Sequence, residues 1–140
     1  MVDFSQRELR AAFEKKLAAF APASTIVWPN STVGSVEGVL YYQAFLIPGT
    51  PENPTVGTGF HRQLGIFQVN IAVPTGTDTG DADDLASNLA FFFRRGTLLV
   101  ENSLEVIISN TPNILTGFDE DDRWKVPVQI PYFCNVIEGN

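Results

Sequence analysis

Residues 63–74 read Gln-Leu-Gly-Ile-Phe-Gln-Val-Asn-Ile-Ala-Val-Pro. Phe67, Val69, Ile71 and Val73 share one parity, while Gln68 and Asn70 take the other. That alternation marks a strand with one buried face. Residues 75–80 turn straight into an amphipathic helix starting near Asp81, so strand and helix are expected to pack on each other and define the core. Asp81, Asp83 and Asp84 crowd the first turn, where carboxylates meet free N–H groups and the positive end of the dipole. With that charge in place, the helix N-terminus is disfavoured as an anion site. Ala82, Leu85, Ala86, Leu89, Phe92 and Phe93 form the apolar stripe, Arg94 and Arg95 lie at the negative end, and Gly96 is expected at C′.

Upstream, Ser5-Gln6-Arg7-Glu8 predicts a capping box, with Phe4 and Leu9 as its hydrophobic staple. Leu9, Phe13, Leu17 and Phe20 recur at helical spacing, and Pro22 ends the run. This stripe reads as a helix docked on its own sheet rather than on a partner. Residues 25–28 form a short extended piece in which Trp28 is a core anchor, and Pro29-Asn30 marks a turn. Residues 39–47 are apolar on both parities, as in a strand covered on two faces, and the second cover is open to another subunit. Residues 48–59 hold three prolines and three glycines and read as a long, mobile hairpin loop.

Beyond the second helix, residues 98–100 and 104–108 fit either one bent strand or two short ones. Residues 111–117 are loop-like, and 119–122 (Asp-Glu-Asp-Asp) form an acidic turn. In the last strand, residues 124–132, Val126, Val128, Ile130 and Tyr132 alternate with Lys125, Pro127, Gln129 and Pro131. Both prolines share a parity, so both missing N–H groups point to the same lateral side. That side cannot carry a normal ladder, and the strand is expected at a sheet edge.

Composition narrows the chemistry. At 140 residues the chain suits one domain, able to bury roughly two thirds of its unfolded surface. A formal net charge of -7 argues against holding nucleic acid by neutralising phosphates. The N-terminus lacks an apolar targeting core, and no run has the length of a membrane span. The single cysteine, Cys134, sits among Tyr132, Phe133 and Val136 and reads as a buried hydrophobe rather than a nucleophile. His61 is the sole histidine, and no serine lies in a nucleophile elbow. Gly57-Thr58-Gly59 precedes a strand, not a helix, so it lacks a phosphate-binding context. The acidic runs lack the ligand spacing of a calcium loop. No enzyme activity, catalytic residue, cofactor or metal is expected. The residues themselves reach only a soluble α+β domain with two main helices.

The run Arg62-x-x-Gly65-x-x-Gln68-Val69, leading to Val73-Pro74-Thr75-Gly76 and an Asp-rich helix start, resembles the phage tail-terminator or tail-completion family. The likeness extends to the N-terminal helix ending near Ala21-Pro22, to Trp28-Pro29-Asn30 before an aromatic strand, and to Trp124-Lys125-Val126-Pro127. What the resemblance implies is a mostly antiparallel β-sheet with the two main helices packed on it, in a virion protein assembled in the host cytoplasm. It would form a ring, hexameric as in lambda-type terminators, that caps the head-proximal end of the tail tube. Its partners would be copies of itself, the tail tube protein and a head-completion or neck protein, with DNA passing the lumen unbound and no membrane involved. The alternatives are another neck or tube component, such as a head–tail connector or tube subunit, and then a small-ligand binding module. Within the ring reading, the assembly interface is expected at Glu52, Asn53, Thr55, Arg94, Arg95, Asp119, Glu120, Asp121, Asp122 and Gln129. The 48–59 loop and the acidic turn are polar and unexplained by the core. The arginine pair exceeds what dipole complementarity needs.

Overall fold

The structure, a computed structural model, describes residues 4–21, 25–28, 40–54, 59–76, 79–120 and 122–137. Pro22, Pro29, Asn30, Val39, Thr55, Gly57, Thr58 and Asp121 lie outside the described residues. The chain runs α1 (Gln6–Phe20), β1 (Thr25–Val27), β2 (Tyr41–Pro48), β3 (Phe60–Pro74), α2 (Thr79–Phe92), β4 (Leu98–Glu101), β5 (Leu104–Ile108), β6 (Asn113–Ile114), β7 (Phe118–Glu120) and β8 (Arg123–Ile137). The class is α+β, with two helices on one curled sheet of order β1-β2-β3-β8-β5-β4. All pairings are antiparallel except that of β1 with β2.

The alternating strand is the centre of this sheet, and it is longer than its pattern suggested. β3 and β8, each 15 residues, pair antiparallel from Phe60 opposite Ile137 to Pro74 opposite Arg123. Phe67, Val69, Ile71 and Val73 are buried on the face that also carries Val126, Val128, Ile130, Tyr132 and Cys134 of β8. α1 lays Leu9, Phe13 and Leu17 on that face, and α2 lays Ala82, Ala86, Leu89 and Phe93. The helices meet the sheet through rings: Phe13 stacks on Phe67 at 4.4 Å between centroids and meets Tyr132 edge-on at 5.2 Å. Trp28 stacks on Phe67 at 5.9 Å, as expected of a core anchor.

β8 is not the edge strand that its prolines suggested. It is flanked on one side by β3 and on the other by β7, β6 and β5 in turn. The proline argument holds in part. Pro127 and Pro131 present their carbonyls to the N–H groups of Leu115 and Ser109, so their missing donors face the same side. On that side the ladder survives only at residues 123–125, 128–129 and 132–133. Three short strands, interrupted at the two prolines, replace one long partner. Residues 111–117, expected as loop, thereby include β6.

β4 and β5 are two strands of a tight hairpin, its turn at Asn102-Ser103 with Asn102 in the left-handed region (φ 54). Ser5 caps α1 by accepting from the Glu8 N–H at 3.3 Å, but the Glu8 carboxylate accepts from the Asn102 side chain, so the expected box is half formed. Gly96 is not the C′ residue of α2. The helix stops at Phe92, and Gly96 (φ 88) is the third residue of a turn closed by the Thr97 N–H on the Arg94 carbonyl.

The first part of the 48–59 loop is pinned rather than mobile. Gly49 donates to the Leu64 carbonyl, and Glu52 exchanges two backbone hydrogen bonds with Arg62. Since Pro48 pairs with Gly65 and Glu52 with Arg62, residues 49–51 carry one extra residue, a bulge in a ladder that continues past β2.

Candidate assembly surface

Helices cover one face of the sheet. The opposite face divides into a polar end and an apolar end. At the polar end, Gln129 donates to Gln68, Gln68 to Asn70 and Asn70 to Gln43, at 3.1, 3.0 and 3.3 Å. These amides lie on β8, β3 and β2, and the cross-strand register places Gln68 opposite Gln129 and Asn70 opposite Gln43. Farther along, Lys125 has a side chain only 2% exposed that reaches the half-exposed Glu120 carboxylate at 2.7 Å. Arg123 lies over the buried Tyr41 ring at 5.2 Å. β7 folds back on β8 at this point, which sets Glu120 opposite Arg123 and within reach of Lys125.

The apolar end follows from register. Leu64, Phe133, Ile107 and Leu98 stand opposite one another across β3, β8, β5 and β4. Ile47, Ile66 and Pro131 form a parallel row across β2, β3 and β8. Where the rows meet, Ile47, Leu64, Ile66, Pro131 and Phe133 line a groove of about 550 Å³ with Glu52 and Arg62 on its wall. The Arg62 guanidinium lies over the Phe133 ring at 5.1 Å, takes the Asn135 side-chain oxygen at 3.0 Å and stands 3.9 Å from Glu52. Ile47, Leu98 and Val100 are 45%, 52% and 57% exposed, too open for side chains of this size on an edge strand and its neighbours.

A second apolar feature belongs to α2. Phe91 is 67% exposed, with the Arg94 guanidinium over its ring at 4.8 Å. It lies nine positions beyond the buried Ala82, half a helical turn out of phase with the stripe, and so points directly away from the sheet.

The residues singled out from sequence are scattered over these features. Glu52 and Asn53 are exposed at the groove, and Arg94 and Arg95 are exposed beside Phe91. Asp119, Glu120 and Asp122 line the β7–β8 hairpin, and Gln129 ends the amide chain. Glu120 also has work inside the subunit, as the partner of Lys125. The apolar groove and Phe91 were missed. The one signal for the groove was the double-faced apolarity of β2; for Phe91 it was a phase opposite to the helix stripe.

Burial raises the Cys134 thiol to about 11, and burial with the neighbouring Cys134 raises Tyr132 to about 12, so neither supplies a nucleophile near neutrality. No cluster of metal-ligating side chains occurs among the described residues, and none of their helices is long and apolar enough to cross a membrane.

A family model described as phage tail terminator protein matches residues 8–132, most of the chain. The chain belongs to the phage tail terminator family. It is a structural protein of the phage tail and a component of the virion. The expected resemblance therefore stands, and the terminator family, a structural one, gives no role to a catalytic centre. Among solved structures, a protein bearing only a sequence designation is similar at 25% identity and a TM-score of 0.75, with 98% of each chain covered. A chain described as belonging to the virion of a native gene transfer agent particle shares the fold at 16% identity and a TM-score of 0.56, covering 93% of this chain and 95% of its own. No curated protein matches.

Proposed function

We propose that this terminator-family chain assembles into a hexameric ring that caps the head-proximal end of the tail tube, stops its polymerisation and offers a surface for head-completion or neck proteins. The observation that carries the reading is the uncovered apolar end of the helix-free face. Burying it needs another protein surface, and a virion subunit has copies of itself at hand. The formal charge of -7 suits a ring through which DNA passes, since an acidic lumen repels phosphates and does not retain the genome. The two-tiered face supports a division of labour: the apolar end meets a neighbouring copy, while the half-buried amides Gln43, Gln68 and Gln129 and the exposed carboxylates of Asp119 and Glu120 serve tube or neck contacts.

Native mass spectrometry of the pure protein, together with electron microscopy of it mixed with tail tubes, tests the proposal. Rings and capped tube ends are expected. A protein that stays monomeric and ignores tube ends overturns it. Gene deletion separates the reading from a connector or tube subunit, because loss of a terminator leaves overlong tails whereas loss of a tube protein leaves none.

A further inference from the structure

The ring reading says that copies meet but not how. Phe91 and the groove supply an answer, because they are unlike and face opposite directions. Phe91 projects from the solvent side of α2, and the groove opens on the sheet face that the helices do not touch. A contact between two such surfaces cannot be isologous, since one copy cannot turn both toward the same two-fold axis. It is head-to-tail, leaves an unused knob and an unused groove at its ends, and builds a ring where the rotation from copy to copy closes.

We infer that Phe91 of one copy, flanked by Arg94 and Arg95, seats in the groove of the next copy lined by Ile47, Leu64, Ile66, Pro131 and Phe133. Size and charge favour this occupant. The cavity of about 550 Å³ has room for an aromatic ring with the guanidinium stem that lies over it. The helix tip brings the adjacent cations Arg94 and Arg95. The groove face carries the exposed carboxylates of Glu52 at the wall and of Glu105, which precedes Ile107 by two positions along β5 on the same face. Arg62 does not cancel the match. Its guanidinium is held by Asn135 and Phe133 and stands 3.9 Å from a Glu52 carboxylate whose side chain is 59% exposed. Phe91 is 67% exposed on its own subunit, and insertion into a neighbour would bury it as an anchor of the kind that dominates interface energetics.

This inference rests on the ring reading, and its test separates the two. A full-length variant that keeps Phe91 and carries Ser87→Cys, one helical turn before it, and Asn110→Cys on the groove rim, treated with a short bis-maleimide, should give a ladder of covalent multimers that ends at the ring number. Either single variant should give dimers at most, the native Cys134 being buried. Phe91→Asp should weaken assembly at least tenfold while leaving the unfolding of the dissociated subunit, measured at a dilution where neither protein assembles, unchanged. Arg95→Glu and Glu52→Arg should each weaken assembly, and combined in one chain they should restore it, because each copy then offers a carboxylate where its neighbour offers a cation. Rings that form normally with Phe91→Asp, or that yield no ladder, overturn the knob-and-groove contact and leave the ring standing. A protein that forms no rings and caps no tubes overturns both.

Discussion

Gly65 lies opposite Tyr132 in the central strand pair, and a methyl group at residue 65 would come within 2.6 Å of the Tyr132 hydroxyl. The same methyl would meet the Ile47 carbonyl at 2.6 Å, so two neighbours from different strands exclude any side chain. Gly65→Ala is therefore expected to cost about 1–3 kcal/mol, the usual range for overpacking. Removing the hydroxyl with Tyr132→Phe should recover part of that cost in the double variant, leaving the clash with the Ile47 backbone. Urea midpoints of the four proteins check this; strictly additive losses would contradict it.

The same tyrosine sets an alkaline limit. Tyr132 is raised from the ordinary 10.0 to about 12 by burial and then by Cys134, and Cys134 is raised from 9.0 to about 11 by burial. A raised value means that the folded state holds the proton more tightly than the unfolded chain. The stabilisation is thus complete below pH 9 and is lost as pH rises through 11 and 12. Each shift corresponds to roughly 3 kcal/mol at most, and because the two groups interact the losses do not simply add. Denaturant midpoints measured from pH 8 to 12 should fall along this limb, and Tyr132→Phe should flatten its upper part. The Cys134 thiol should also resist aromatic disulfide reagents until the protein unfolds.

What the chain reveals before folding depends on how local the cause is. The stripes of α1 and α2, the Ser5 cap and the parity of Phe67, Val69, Ile71 and Val73 are written in short-range spacing, and all are found in the structure. The position of β8 was misjudged because prolines report which side lacks donors, not whether anything lies there. Three short segments separated at Pro127 and Pro131 satisfy that side without a continuous partner. The apolar end of the helix-free face left one trace in the sequence, the double-faced apolarity of β2, and the rest of it could not be placed. Leu64, Phe133, Ile107 and Leu98 are contributed by four strands, and only register brings them into one row.

The acidic turn has an internal role that can be separated from assembly. Lys125 is buried, and its ammonium is held by Glu120 at 2.7 Å. Glu120→Gln should lower stability by about 1–2 kcal/mol, the carboxylate's partial exposure reducing what a fully buried pair would lose. Lys125→Met, which removes the buried charge together with its need for a partner, should cost less, while Asp119→Asn on the exposed side should be close to neutral. Thermal melts of the three variants decide it; a harmless Glu120→Gln would show that other groups hold Lys125.

The prolines of β8 offer a last test of how the sheet tolerates its broken side. Pro127 is buried and Pro131 half-buried, and both lack the N–H that would face the gaps between β7, β6 and β5. Replacing either with alanine adds a donor on that side and loosens the unfolded chain, the latter costing about 0.4–1 kcal/mol at a site where proline fits. The register places Leu115 opposite residue 127, and its N–H already donates to the Pro127 carbonyl, so a new N–H at residue 127 faces the Leu115 carbonyl and can complete the pair. Ser109 stands in the same relation to residue 131, its N–H donating to the Pro131 carbonyl. Pro127→Ala and Pro131→Ala should therefore each lose no more than the loosening of the unfolded chain costs in matched urea titrations, and a loss well above that, as a buried unsatisfied donor would add, would mean that the new N–H finds no acceptor.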